Sequence, residues 1–219
     1  MTARHDPFSR QAVGGAYDAV ARDYVRQFGD DLARLPLDRA MLDAAWTAAP
    51  PSDGWVVEAG CGAAPAAGYL AGRAPRLVGL DLSGGMLAVA AERNPGLRLA
   101  QADLRGLPLR GGSCALVIAY YTLQHVPRGD LVATLIELRR VLGPGGVLLA
   151  ATHLGDGDVV TGDFLGRRVD PVAGALYDRD EFTAAVAAAG FAVEVERVRG
   201  PLPHEHDSER IYVLCRAGR

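Results

Sequence analysis

The stretch Val56-Val57-Glu58-Ala59-Gly60-Cys61-Gly62 decides how this chain is read. Two valines end a strand apolar enough to be buried, an acid stands at its carboxyl end, and a glycine-rich turn follows. In a parallel α/β sheet this is where backbone comes close to a nucleoside-bearing ligand. Outward from the turn, short apolar runs alternate with helical periodicity. Strands are expected at 55–59, 76–81, 97–101, 114–121 and 145–152, and helices at 65–73, 84–93 and 129–142. Repeated βα units imply a parallel sheet with helices on both faces. Upstream, residues 12–28 and 30–48 read as two helices, with Tyr17, Val20, Ala21, Tyr24 and Phe28 at helical spacing, before the break Pro50-Pro51-Ser52-Asp53-Gly54.

Boundary signals agree. Pro65 suits the first turn of a helix, and Ser83 is a natural N-cap. Gly143-Pro144-Gly145-Gly146 ends one helix and turns into a strand. Residues 153–177 form a Gly- and Asp-rich insertion with little periodicity. Asp178 and Glu181 have capping-box spacing ahead of a helix at 179–189, and 191–198 and 210–216 read as a closing strand pair. The expected organisation is one domain: a helical cap (1–50), a cofactor-binding core (55–152), a substrate-side insertion (153–177), and a C-terminal helix with a strand pair (178–219).

The 219 residues are 49% hydrophobic and 22% charged, with a net charge of −3. That balance gives no electrostatic case for nucleic acid or an anionic membrane. All 23 basic residues are Arg, which excludes a lysine Schiff base or lysine general base. Cys61, Cys114 and Cys215 are odd in number and widely spaced, as expected in a reducing compartment. The polar N-terminus lacks an apolar signal core, and the longest apolar run, 116–123, is too short to span a bilayer. The expectation is a cytoplasmic monomer or homodimer.

A dinucleotide fingerprint needs G-x-G-x-x-G, but the third glycine position is Pro65, which weighs against a nicotinamide cofactor. Two acids point elsewhere. Asp81 ends the second strand, where a carboxylate can accept two hydrogen bonds from a ribose diol. Asp103 follows the third strand and can accept from an exocyclic adenine amine. An NAD(P)-dependent oxidoreductase and a non-catalytic cofactor-binding domain of the same fold remain the alternatives.

With these residues in place, the chain resembles a class I S-adenosylmethionine-dependent methyltransferase of the small-molecule group. The matching segments are 56–62, 78–86, 102–104, 120–126, 142–149 and 189–191. The resemblance implies a Rossmann-like seven-stranded mixed sheet, order 3-2-1-4-5-7-6 with the last strand antiparallel, under an N-terminal helical lid. It implies that Gly60, Cys61 and Gly62 pass beside the methionine part of the cofactor, with Glu58 organising the loop. Asp81 would bind the ribose, Leu82 and Met86 would pack near the adenine, and Ala102, Asp103 and Leu104 would meet its edge. The Tyr120 carbonyl would face the cofactor's amino group, and Tyr17 and Tyr24 would close over the site. The family usually has a further glycine where this chain has Ala64, and Pro65 biases Ala64 toward extended geometry.

Methyl transfer from a sulfonium is an in-line displacement that needs alignment and exclusion of water, plus a base if the acceptor is a neutral hydroxyl or an ammonium. His125, just past the fourth strand, is the first candidate base, and His153, past the fifth, the second. Tyr121, Gln124, Arg167 and Arg168 are candidates for the acceptor side, the arginines as partners for a carboxylate. The His204-Glu205-His206-Asp207 loop lacks specific ligand geometry, so no metal is expected. The expected reaction is O- or N-methylation of a small molecule, yielding S-adenosylhomocysteine.

Overall fold

The computed structural model describes residues 5–29, 31–51, 53–203 and 205–218. Helix α1 (Arg10–Phe28) opens at Ser9, whose hydroxyl accepts from the Ala12 amide at 3.2 Å. The single helix expected over 30–48 is instead α2 (Asp31–Arg34) and α3 (Pro36–Ala48). Leu35 leaves helical geometry at φ −108°, ψ 82°, and Pro36 opens α3. Proline has no amide to give the preceding turn, yet its fixed φ suits a first helical position. There follow β1 (Trp55–Ala59), α4 (Pro65–Leu70), β2 (Leu77–Asp81), α5 (Gly84–Arg93), β3 (Arg98–Gln101) and β4 (Cys114–Tyr120). The chain continues through α6 (Leu131–Val141), β5 (Leu142–Leu154), β6 (Asp158–Phe164), β7 (Arg167–Ala175), α7 (Arg179–Ala188), β8 (Phe191–Arg199) and β9 (Glu209–Ala217).

Seven strands form one sheet in the order β3-β2-β1-β4-β5-β9-β8. β9 runs antiparallel to both neighbours, and the strands from β3 to β5 pair in parallel. With the separate β6–β7 pair left out of the count, this is the expected order. Strand residues alternate between two faces, and both faces are covered. Val57, Ala59, Val117, Ala119 and Leu148 pack with Leu135 and Leu138 of α6 and Phe182 of α7. Val56, Leu116, Ile118 and Leu149 pack with Leu42 of α3, Leu70 of α4 and Ala90 of α5. This double burial explains the near-continuous apolar strands. Each fully buried Leu or Ile contributes about 1.5–3 kcal/mol.

The insertion is more ordered than its sequence suggests. Residues 158–175 fold as an antiparallel hairpin, β6 against β7, turned by Leu165 and Gly166 at φ 53° and 74°. Both turn residues sit at positive φ, the pattern of a type I′ two-residue hairpin turn. α1 packs against α5 and β7, so α1 and the hairpin together roof the edge where the parallel strands end.

Candidate cofactor and acceptor site

The glycine loop is held tightly to the sheet. The amides of Gly60 and Cys61 both donate to the Leu80 carbonyl, at 2.7 and 2.9 Å. Gly60 and Gly62 take φ 69° and 52°. A Cβ on Gly60 would stand 1.9 Å from Thr122 Oγ1, so Gly60→Ala is doubly strained. Chemical denaturation should show it destabilised by more than about 2 kcal/mol. A stability equal to wild type would contradict this geometry.

Ala64 departs from its expected extended backbone and lies in the left-handed region, φ 58°, ψ 49°. Its amide donates to the Cys61 carbonyl at 2.7 Å, and its carbonyl accepts from Gly68 at 2.9 Å. These bonds over-determine the conformation against the bias from Pro65, at a cost of roughly 1–2 kcal/mol. Ala64 supplies no side-chain cap to α4. Glu58 does so from β1, accepting from Ala66 at 3.3 Å and Ala67 at 2.7 Å, two donors the helix leaves unpaired.

Glu58 is buried, and burial pushes its carboxyl up to about 8. Its folded pKa is therefore raised above the unfolded value. The stability it contributes is complete below the ordinary carboxylate range and is lost as pH rises through about 8. Wild-type Tm should fall between about pH 5 and 8 and level off above that, and Glu58→Gln, a mimic of the protonated form, should flatten that slope. Equal slopes in the two proteins would show that Glu58 does not titrate there.

Asp81 closes the loop from the next strand. Its Oδ2 accepts from the Gly62 amide at 2.6 Å and its Oδ1 from Ser83 at 2.8 Å. Burial raises its pKa, and these backbone amides pull it back. Ser83 in turn caps α5, accepting from Met86 at 3.0 Å, and donates to Asp18 of α1 at 2.5 Å. Asp103 is engaged differently. Its carboxylate is forked by Arg105, at 3.1 and 2.9 Å, and paired with Arg10 of α1. Burial pushes its pKa up, but Arg105 and Arg10 overcome that and leave it below the usual range.

These groups line a cavity of about 800 Å³ at the carboxyl ends of the strands. That lies high in the ~300–1,000 Å³ span of small-molecule sites, enough for a nucleoside cofactor beside a second small molecule. Its floor is the glycine loop, Asp81 and Asp103, and its roof is Tyr17, Tyr24 and the hairpin. A glycine cradle that a side chain would fill, beside a buried carboxylate with free lone pairs, fits the ribose and methionine parts of S-adenosylmethionine.

Comparison with known proteins agrees with this geometry. Residues 56–146 match the family model described as a methyltransferase domain. A malonyl-[acyl-carrier protein] O-methyltransferase from Serratia marcescens is 31% identical over 69% of this chain and 56% of its own length. A trans-aconitate 2-methyltransferase from Methylobacterium nodulans is 34% identical over 83% of this chain and 69% of its own. The chain belongs to the S-adenosylmethionine-dependent methyltransferases. It spans only about half the length of the first curated relatives it matches. A solved structure, the DhpI complex with S-adenosylhomocysteine, superposes with a TM-score of 0.69, 99% coverage of both chains and 23% identity, a likeness of fold.

Most positions singled out for a methyltransferase cofactor meet in this cavity: Tyr17, Tyr24, Glu58, Gly60, Cys61, Gly62, Asp81, Leu82, Met86, Asp103, Leu104 and Tyr120 all line it. Ala102 does not; it packs against the core, and its amide donates to the Asp81 carbonyl at 2.8 Å. On the acceptor side Tyr121, Gln124, His125 and His153 line the cavity. Arg167 and Arg168 do not, which corrects their expected role. The turn at Leu165 and Gly166 carries both to the exposed hairpin tip, where Arg167 pairs with Asp23 of α1.

His125 has both ring nitrogens occupied. Nδ1 faces the Ala173 carbonyl at 3.0 Å and must carry the proton, so Nε2 accepts from the Tyr17 hydroxyl at 2.8 Å. Burial lowers its pKa, partly offset by the Ala173 bond. His153 accepts from or donates to the Ser208 hydroxyl at 2.8 Å. Burial, with Arg210 and His206 beside it, brings its pKa down to about 4.

Sequence reasoning missed a polar network behind the cavity. Asp38 of α3 is 1% exposed and accepts from the hydroxyls of Tyr121 at 3.0 Å and Tyr212 at 2.9 Å. Arg199 forks Glu205 at 2.5 and 2.8 Å and reaches Asp38 at 3.4 Å. Tyr121 itself sits at φ 51°, strained for an aromatic residue and held by these bonds. Among the described residues no three His, Cys, Asp or Glu side chains are grouped to hold a metal, and His204 lies outside those residues. No helix among them is long and apolar enough to cross a membrane.

Proposed function

We propose that this chain transfers a methyl group from S-adenosylmethionine to an oxygen or nitrogen of a small molecule. The observation that carries the reading is the Asp81 carboxylate fixed between the Gly62 and Ser83 amides at the floor of the cavity. Bound S-adenosylmethionine would supply a methyl already activated on sulfur. Gly60, Cys61 and Gly62 would pass its methionine part and Asp81 would take its ribose hydroxyls. Leu82, Met86 and Leu104 would pack on the adenine, with Asp103 at its amine and the Tyr120 carbonyl at the cofactor's amino group. α1 and the hairpin would exclude water.

His125 in this reading works through Tyr17. An acceptor proton would pass to the Tyr17 oxygen while the Tyr17 proton passes to His125 Nε2, leaving the acceptor to attack the methyl. The three buried free thiols fit a reducing cytoplasm. The direct test is incubation of the purified protein with a metabolite extract and methyl-labelled S-adenosylmethionine. Labelled product, with S-adenosylhomocysteine formed in equal amount, is expected. Binding of S-adenosylhomocysteine without any transfer would favour a non-catalytic role.

A further inference from the structure

We propose that Asp18 is a positioning residue that couples cofactor binding at Asp81 to the seating of α1, an inference that rests on the methyltransferase reading. Asp18 meets the start of α5. Its Oδ1 accepts from the Ser83 hydroxyl at 2.5 Å and from the Gly85 amide at 2.8 Å. A carboxylate has no proton to give, so the Ser83 proton points at Asp18 and its oxygen's lone pairs are left to cap Met86, at 3.0 Å. The Ser83 amide donates to Asp81 Oδ1 at 2.8 Å. Ser83, 1% exposed, thus ties the carboxylate meant for the ribose to the helix that roofs the cavity.

The seat is built for close approach. A Cβ on Gly85 would stand 3.1 Å from both the Cα and the Oδ1 of Asp18, so α1 lies almost against the backbone of α5. Ala21 and Val89 pack beside this contact. Other polar ties of α1 differ in kind. Arg22 on Glu92 and Arg10 on Asp103 are pairs whose arginine side chains are 71% and 67% exposed, and exposed ion pairs contribute little. Asp18 instead satisfies an amide that α5 leaves without a helical partner, at the positive end of that helix. The seat also reaches the chemistry. Tyr17 is the residue before Asp18 on α1, and its hydroxyl meets His125 Nε2 at 2.8 Å. With the ribose on Asp81 and α1 on Ser83, filling the cavity and seating the helix favour one another, and the coupling is reciprocal.

Hydrogen exchange across residues 12–28 and calorimetric titration of S-adenosylhomocysteine test this on the full chain. In wild type the cofactor product should slow exchange. Asp18→Ala should exchange faster without ligand and bind S-adenosylhomocysteine at least about fivefold more weakly, because less of the protein is in the seated state. Asp18→Asn keeps an oxygen that accepts from both Ser83 and Gly85, so it should stay within about twofold of wild type in both readouts. Arg22→Met, which removes an exposed tie between the same two helices, should do likewise. Faster exchange in Asp18→Ala with unchanged affinity would reduce Asp18 to a structural tie and overturn the coupling. So would exchange equal to wild type in Asp18→Ala, or a loss in Asp18→Asn or Arg22→Met as large as in Asp18→Ala. Failure of S-adenosylhomocysteine to bind wild type would overturn the methyltransferase reading instead, and exchange without ligand would still decide whether Asp18 seats α1.

Discussion

Asp81→Ala is expected to weaken S-adenosylhomocysteine binding by about a hundredfold or more. Two hydrogen bonds from a ribose diol to a carboxylate contribute roughly 1.5–3 kcal/mol each. At about 1.4 kcal/mol per decade, that is two to four decades. The variant also removes the acceptor that holds the Gly62 and Ser83 amides in place, so the loop loses its brace as well as its ligand contact. Asp81→Asn should fare little better, because its NH₂ group would face one of those two amides, donor against donor. Asp103→Ala should cost less. Arg105 and Arg10 already occupy that carboxylate, and a cofactor amine would add one contact to a paired group. Because burial raises the Asp81 pKa, wild-type affinity should fall on acidification at a higher pH than an exposed aspartate would give. Calorimetry on the folded variant checks this. Unchanged affinity would remove Asp81 from the ribose.

The parts of the site legible in the sequence are those set by local pattern. The apolar runs of β1, β2 and β4 fall where expected because each strand is buried on both faces, and Glu58, Asp81 and Asp103 stand at strand ends that any parallel sheet gathers on one edge. The hairpin at 158–175 escaped notice because its turn uses Leu165 at positive φ, where Asn would have signalled it, and because Gly162, Pro171 and Gly174 interrupt the alternation. The same unsignalled turn puts Arg167 and Arg168 at the hairpin tip and away from the acceptor side that sequence alone suggests. Ala64 shows a tertiary override, in which two backbone bonds fix a conformation that its neighbour disfavours. The Asp38 network has no local signal at all. Asp38 meets Tyr212 from the opposite end of the chain, and Arg199 and Arg210 read in sequence as ordinary strand charges.

Tyr17→Phe and His125→Asn should each lower turnover by about 10²–10⁴-fold, the usual cost of losing a general base, and leave S-adenosylhomocysteine affinity within a few-fold. The two residues lie 2.8 Å apart, and the Ala173 carbonyl fixes the imidazole tautomer that accepts from the hydroxyl. Removing either breaks the same relay, so the double variant should be no worse than the single ones. The relay needs neutral His125. Burial depresses its pKa, so turnover should be flat above about pH 6.5, the ordinary histidine value, and fall only below it as the imidazole takes a proton. The same contact also ties α1 to the turn after β4, which gives a competing role as a latch. Hydrogen exchange across residues 12–28 separates the two. A relay predicts exchange close to wild type in His125→Asn with the acid limb lost from the pH profile. A latch predicts faster exchange, a turnover loss independent of pH, and recovery of turnover when saturating acceptor holds the helix down. Near-full turnover in His125→Asn, with a wild-type profile flat from about pH 5 to 8, would dismiss the relay and require an acceptor that enters already ionised.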